Sequence, residues 1–388
     1  MTTRNRLLVL AISTPIIAFA IIGGYLGQAL AKDDTYQHLR VFEDVVSLVL
    51  NNYVEPVNVE DAMAGAMKGL TDSLDPDSAY LRPALVRAME SNDPGGTAEV
   101  GLDVTRQYYL RVVSARDGSS AARAGIRPGD FIRAIDNRPT RDMSAYEGMR
   151  LLRGAPGSTV SLLVIRGNAA DPHVVDLEYE PLGAPQTITR MADATTGYIR
   201  MVEFSEDAPS RLAQAIDALA TTGALHYVID LRGTSRGDLD AGVAAARLFV
   251  KDATLAVRLG RADAREPIAS QPADGSIAAP LVLLVDPGTA GAAEVFAAAL
   301  DGNDRADLVG QPTLGRAARQ RLVKLPDASG LWLTYVRYLT PSSEPLHETG
   351  LEPDVAVELP EIEFGAGPPA VDATLQKALD HLAQQTAA

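Results

Sequence analysis

The side chains most often recruited for covalent or metal chemistry are scarce in this chain. It contains no cysteine, which excludes thiol catalysis, disulfides and thiolate metal sites, while an oxidising compartment is tolerated. Its five histidines, His38, His173, His226, His347 and His381, fall at no metal-ligand spacing. Neither a metal nor any other cofactor is expected, and His226 and His347 are read as structural or solvated. A Ser-His-Asp triad drawn from distant segments stays open, because such triads are defined by geometry and not by sequence position.

The 388 residues, 46% of them hydrophobic, suffice for two or three domains with cores of their own. Fifty acidic residues against 35 basic ones give a net charge of −15, which repels polyanions and argues against nucleic acid as a partner.

Several kinds of element follow one another. Arg4 and Arg6 precede an apolar run from Leu7 to Leu26, long enough to span hydrocarbon. Residues 1–31 therefore read as a signal peptide or membrane anchor; Ala29-Leu30-Ala31 fits a cleavage site, and both fates stay open. Either way the rest of the chain is expected in the periplasm, or on the exported side of the cytoplasmic membrane, anchored or released. Residues 36–90 carry helical periodicity through Leu39, Phe42, Val45 and Val49, then Ala62, Met63, Ala66 and Leu70. Residues 95–182 switch to short β-branched runs separated by Gly, Pro and Asn, a compact, mostly β module. From 186 to 362 strands alternate with helices, the pattern of an α/β sheet with any site at its strand ends. Residues 363–388 end in a weakly amphipathic helix over Leu375 to Leu382.

Within the β module, Glu99-Val100-Gly101-Leu102-Asp103-Val104 and the stretch Ala121-Ala122-Arg123-Ala124-Gly125-Ile126-Arg127-Pro128-Gly129-Asp130 together resemble a PDZ domain. The resemblance implies recognition of a peptide's terminal carboxylate by backbone N–H groups while the peptide adds as a strand. Gly101, Leu102, Asp103 and Val104 become the peptide-binding candidates, with Gly101 permitting close approach and Leu102 and Val104 lining an apolar pocket.

The resemblance widens to the carboxyl-terminal processing, or tail-specific, peptidases over about residues 36 to 360. It is carried by Leu74-Asp75-Pro76-Asp77-Ser78-Ala79-Tyr80-Leu81, Gly197-Tyr198-Ile199-Arg200, Asp230-Leu231-Arg232, Asp286 to Glu294, Thr313-Leu314-Gly315-Arg316 with Gln320, and Gly350-Leu351-Glu352-Pro353-Asp354. It implies an α/β core domain of the tail-specific peptidase type, an inserted PDZ domain and a helical N-terminal region. Active members of that family use a serine whose proton passes to a neutral lysine. Here the matching positions are Gly291, without a side chain, and Arg316, whose guanidinium stays protonated. No register shift restores the pair, since no serine lies between Ser276 and Ser329 and no lysine between Lys251 and Lys324. Thr289 is the nearest hydroxyl. Arg236 stands where the family's oxyanion loop has a glycine, beside Gly237 and, at the helix start, Ala292, and the turn's φ requirement is a point of conflict. Glu294 is expected to support the helix start by charge–dipole attraction.

The expectation is an exported, catalytically inactive homologue of a serine-type peptidase that binds protein C-terminal tails or an active peptidase paralogue as scaffold or regulator. The alternatives are an active endopeptidase with a rearranged site and a structural envelope component.

Overall fold

The computed structural model describes residues 36–167, 172–181, 183, 187–360, 362–367 and 371–387. The expected signal or anchor segment lies outside them, and among the described residues no helix is long and apolar enough to cross a membrane. The chain divides into two units, residues 1–67 and 68–388. In the first, a helix over 36–52 exposes Leu39, Phe42, Val45 and Val49. The helix Val59–Asp72 starts at Asn58, whose side-chain oxygen accepts the Glu60 amide at 2.9 Å, the usual way to satisfy an orphan donor of the first turn.

The second unit is built on a six-stranded sheet in the order Ile188–Met191, Thr196–Arg200, His226–Asp230, Leu281–Val285, Asp307–Gly310 and Val355–Ala356. Only the first strand is antiparallel to its neighbour. Leu281–Val285 is apolar without interruption because both of its faces are covered. The helices Ala208–Thr221, Leu239–Ala246 and Ala292–Asp301 pack over Ile199, Ile229 and Leu283 on one face. On the other, the helix Ala373–Ala387 sets Leu375, Ala378 and Leu382 against Val228, Val282 and Leu284. The weakly amphipathic tail helix is thus a full layer of the core.

A second, antiparallel sheet joins Ala79–Leu81, Gly330–Leu339, Thr254–Leu259 and Arg265–Ala269, with Ala318–Lys324 also on Gly330–Leu339. Its first strand falls inside the region read as helical. Three residues are too few to carry a period, and this strand exists because Ala79 pairs with Trp332 and Leu81 with Gly330.

The inserted β module has the strand order Leu102–Gln107, Tyr109–Ala115, Phe131–Ile135, Thr159–Ile165 and His173–Glu178. Its core gathers Val104, Leu110, Ile132 and Leu162. The helix Ala145–Leu151, capped by Ser144 accepting the Glu147 amide at 3.1 Å, packs beside the edge strand Leu102–Gln107. The chain enters and leaves through a small sheet in which Ala98–Glu99 lies between Glu180–Pro181 and Arg153–Gly154.

Asp301, at the end of the helix Ala292–Asp301, is pushed up to about 6 by burial and then by the neighbouring carboxylates of Asp354 and Asp307. A carboxyl raised in the folded state holds its proton more tightly than in the unfolded chain, so its contribution to stability is lost as pH rises from about 4 through about 6. Asp301→Asn removes that loss. Thermal melts are expected to give similar midpoints for parent and variant near pH 4 and a higher midpoint for the variant near pH 7.5; equal midpoints at the higher pH would refute the assignment.

Candidate functional site

The strand Leu281–Val285 runs into a turn that ends at Gly291, immediately before the helix Ala292–Asp301. Gly291 has φ 63° and ψ −121°, a region that costs a residue with a side chain on the order of 1–3 kcal/mol. A β-carbon added there would sit 3.2 Å from the Ser235 carbonyl oxygen. The turn is fixed from within: the Asp286 carboxylate accepts the amides of Gly233 at 2.8 Å and Gly288 at 2.9 Å. The buried Thr289 hydroxyl donates to the Leu231 carbonyl at 3.0 Å and accepts the Asp286 amide at 3.0 Å. Thr289 is therefore a strut of the turn.

Glu294 does more than the helix-start role expected of it. Fully buried, it accepts the amides of Gly291 (3.0 Å), Gly315 (2.5 Å) and Arg316 (2.7 Å) and the Thr313 hydroxyl (2.5 Å). Burial holds its carboxyl above the usual carboxylate range, although these four donors pull the other way. The result is one carboxylate clamping the turn to the segment 313–316.

Arg316 faces the same place. Its Nε lies 3.1 and 3.2 Å from the two carboxylate oxygens of Asp77, and its Nη1 lies 3.2 Å from both of those of Asp103. Asp77 and Asp103 are themselves buried. Burial works against the guanidinium charge, but the two carboxylates outweigh it and hold Arg316 above its ordinary range. Asp77 is presented by a turn in which the Asp75 carboxylate accepts the amides of Asp77 (2.9 Å) and Ser78 (2.7 Å). Asp103 also accepts the Ser235 hydroxyl at 2.7 Å, and Ser235 lies 2.6 Å from Ser114. These groups border a cavity of about 310 Å³ lined by Gly291, Arg316, Gln320, Ser235, Asp103 and, from the β module, Met149 and Arg153.

The oxyanion-side residues are placed as follows. Arg236 and Gly237 also line the cavity, and the Arg236 guanidinium donates to Glu99 (2.5 Å) and the Leu102 carbonyl (3.1 Å). Positive φ falls on Gly233 and Gly237 and not on Arg236, so the arginine fits the turn without strain, contrary to the conflict expected. Ala292 opens the helix, where amides have no intrahelical acceptor. Gln320 lines the cavity and donates to Thr334 at 3.2 Å.

The peptide-binding candidates need correction. Leu102 and Val104 are packed inside the core of the β module instead of lining an open pocket. Asp103, on the alternate face of the same strand, reaches Arg316 and Ser235. Gly101, with φ 84°, is a glycine because a β-carbon there would meet the Ser119 β-carbon at 2.1 Å. Of the two histidines read as structural or solvated, His347 is buried, with neither ring nitrogen bonded among the described residues, and burial lowers its pKa.

Residues 195–357 match Peptidase family S41 and residues 111–166 match a PDZ domain. A carboxyl-terminal-processing protease of Synechocystis sp. is 32% identical over 361 residues, covering 90% of this chain and 83% of that protein. The carboxy-terminal processing protease CtpA of Bacillus subtilis is 27% identical over 372 residues, covering 93% and 79%. Among solved structures, a photosystem II D1 C-terminal processing protease superposes with a TM-score of 0.70 at 27% identity, covering 80% of this chain and 85% of that one. The chain belongs to the carboxyl-terminal processing peptidases, with the α/β core and inserted PDZ domain that define them.

Sequence reasoning missed Asp77 and the core-facing role of Asp103. Alternation was the available signal: with Leu102 and Val104 inward, Asp103 must point out of the PDZ domain. Arg316→Ala leaves two buried carboxylates without their cation, and urea unfolding is expected to register a loss of about 3–5 kcal/mol. Adding Asp77→Asn and Asp103→Asn to that variant is expected to recover most of it; an Arg316→Ala protein as stable as the parent would contradict the bridging role.

Proposed function

We propose that this chain is a catalytically silent carboxyl-terminal processing peptidase homologue. It stands on the exported side of the cytoplasmic membrane and binds protein C-terminal tails, or a partner such as an active peptidase paralogue, through its PDZ domain as scaffold or regulator. One observation carries the reading: opposite a turn residue with no side chain, Gly291, stands a guanidinium held charged by Asp77 and Asp103. Such a cation takes no proton from a nucleophile. The hydroxyls nearby are committed elsewhere, Thr289 to the turn and Ser235 to Asp103. Binding is supported by the common cavity, which Met149 of the PDZ helix lines together with Gly291 and Gln320 of the core. Export is supported by Arg4, Arg6 and the apolar run Leu7 to Leu26.

The test is cleavage of a loosely folded protein with an apolar tail. The natural chain is expected to bind the tail and leave it intact; turnover would overturn the reading, and absence of tail affinity would favour a structural envelope component. Gly291→Ser with Arg316→Lys is expected to stay silent, because Asp77 and Asp103 hold a lysine amine charged as they hold the guanidinium. Hydrolysis is expected only when Asp77→Asn and Asp103→Asn are added. Cell fractionation tests the location, and recovery in the cytoplasm would contradict it.

A further inference from the structure

A second cavity, of about 820 Å³, shares no lining residue with the first. It lies beyond the carboxyl ends of the strands Thr196–Arg200, His226–Asp230 and Leu281–Val285, with the PDZ segment 122–128 as its opposite wall, where open α/β sheets place their ligands. Five arginines face it against three aspartates. Three of the five are neutralised: Arg200 by Asp117 at 3.0 Å, Arg232 by Asp230 and Asp372, and Arg123 by Glu180. Arg127 and Arg190 are not. Among the described residues neither forms an ion pair: the Arg127 guanidinium bonds the Ala366 carbonyl at 3.3 Å, with the Asp130 carboxylate near enough to favour its charge, and Arg190 lies 4.3 Å above the Tyr198 ring. Two guanidiniums without a salt bridge in one cleft make it a local attractor for carboxylates even in a chain of net charge −15.

We propose that this cleft binds an acidic peptide segment, whose side-chain carboxylates pair with Arg127 and Arg190. A polypeptide suits it better than a small free anion on two grounds. The volume exceeds what a single small inorganic anion fills, and Arg190 sits on Ile188–Met191, the outermost strand of the core sheet among the described residues, whose free side offers main-chain groups to an added chain. The site is separate from the PDZ edge strand and from Gly291, so it stands whether or not the chain is silent.

Calorimetric titration of the purified full chain with N-acetylated, C-amidated hexaglutamate tests it, since that probe has no terminal carboxylate for the PDZ domain. Binding is expected, with none for the hexaglutamine analogue. Arg127→Gln with Arg190→Gln is expected to weaken it about tenfold or more at an unchanged melting temperature, and Arg190→Glu alone is expected to weaken it comparably if the double variant folds poorly. Equal binding of the two peptides, no effect of either variant, or saturation by inorganic pyrophosphate without peptide binding would overturn the proposal.

Discussion

A single half-buried cation, bridging two buried carboxylates, holds three distant pieces of chain in register. Arg316 belongs to the loop after the strand Asp307–Gly310, Asp77 to the turn before the PDZ domain, and Asp103 to the PDZ edge strand. Two carboxylates that close would repel each other and resist burial without a cation between them. Planarity matters as well as charge: Nε serves one aspartate and Nη1 the other, a division that an ammonium does not reproduce. Glu294 then fixes the backbone on which Arg316 sits, so that side chain and main chain of the same residue are each anchored by carboxylates.

The consequence for the site is a separation between scaffold and reagent. The turn at Gly291, the helix behind it and the clamp at Glu294 fix one backbone position firmly, and the residue there is glycine. Across the cavity the same economy of position is used for cohesion, since the groups around Arg316 and Ser235 satisfy one another. Arg236 adds to this by spanning from the core to Glu99 and the Leu102 carbonyl of the PDZ domain.

Much of this was legible in the residues. The alternation of strands such as Leu281–Val285 with helices announced an α/β sheet, and the motifs from Leu74 to Asp354 pointed to the family. What escaped was long-range. Ala79–Leu81 is a strand only through a partner near residue 332, and the antiparallel strands Thr254–Leu259 and Ala318–Lys324 are half exposed and weakly patterned. The partners of Arg316 lie 239 and 213 residues away, distances over which spacing carries no information. The role of Leu102 and Val104 was misread because a buried strand and a pocket-lining strand have the same composition.

The pairing of Ala79 with Trp332 also bears on how the molecule is assembled. Within the PDZ domain some neighbouring strands are joined by short connections, as Arg106 with Leu110 and Ala134 with Pro139, and the longer closures, such as Phe131 with Ile165, stay inside the domain. In the antiparallel sheet of the core, the hairpins Thr254–Leu259 with Arg265–Ala269 and Ala318–Lys324 with Gly330–Leu339 are local too, but the pairing of Ala79–Leu81 closes around the entire PDZ insertion. The loop entropy of that one pairing must be met before its contacts exist, which places it among the high-contact-order, slow steps of assembly.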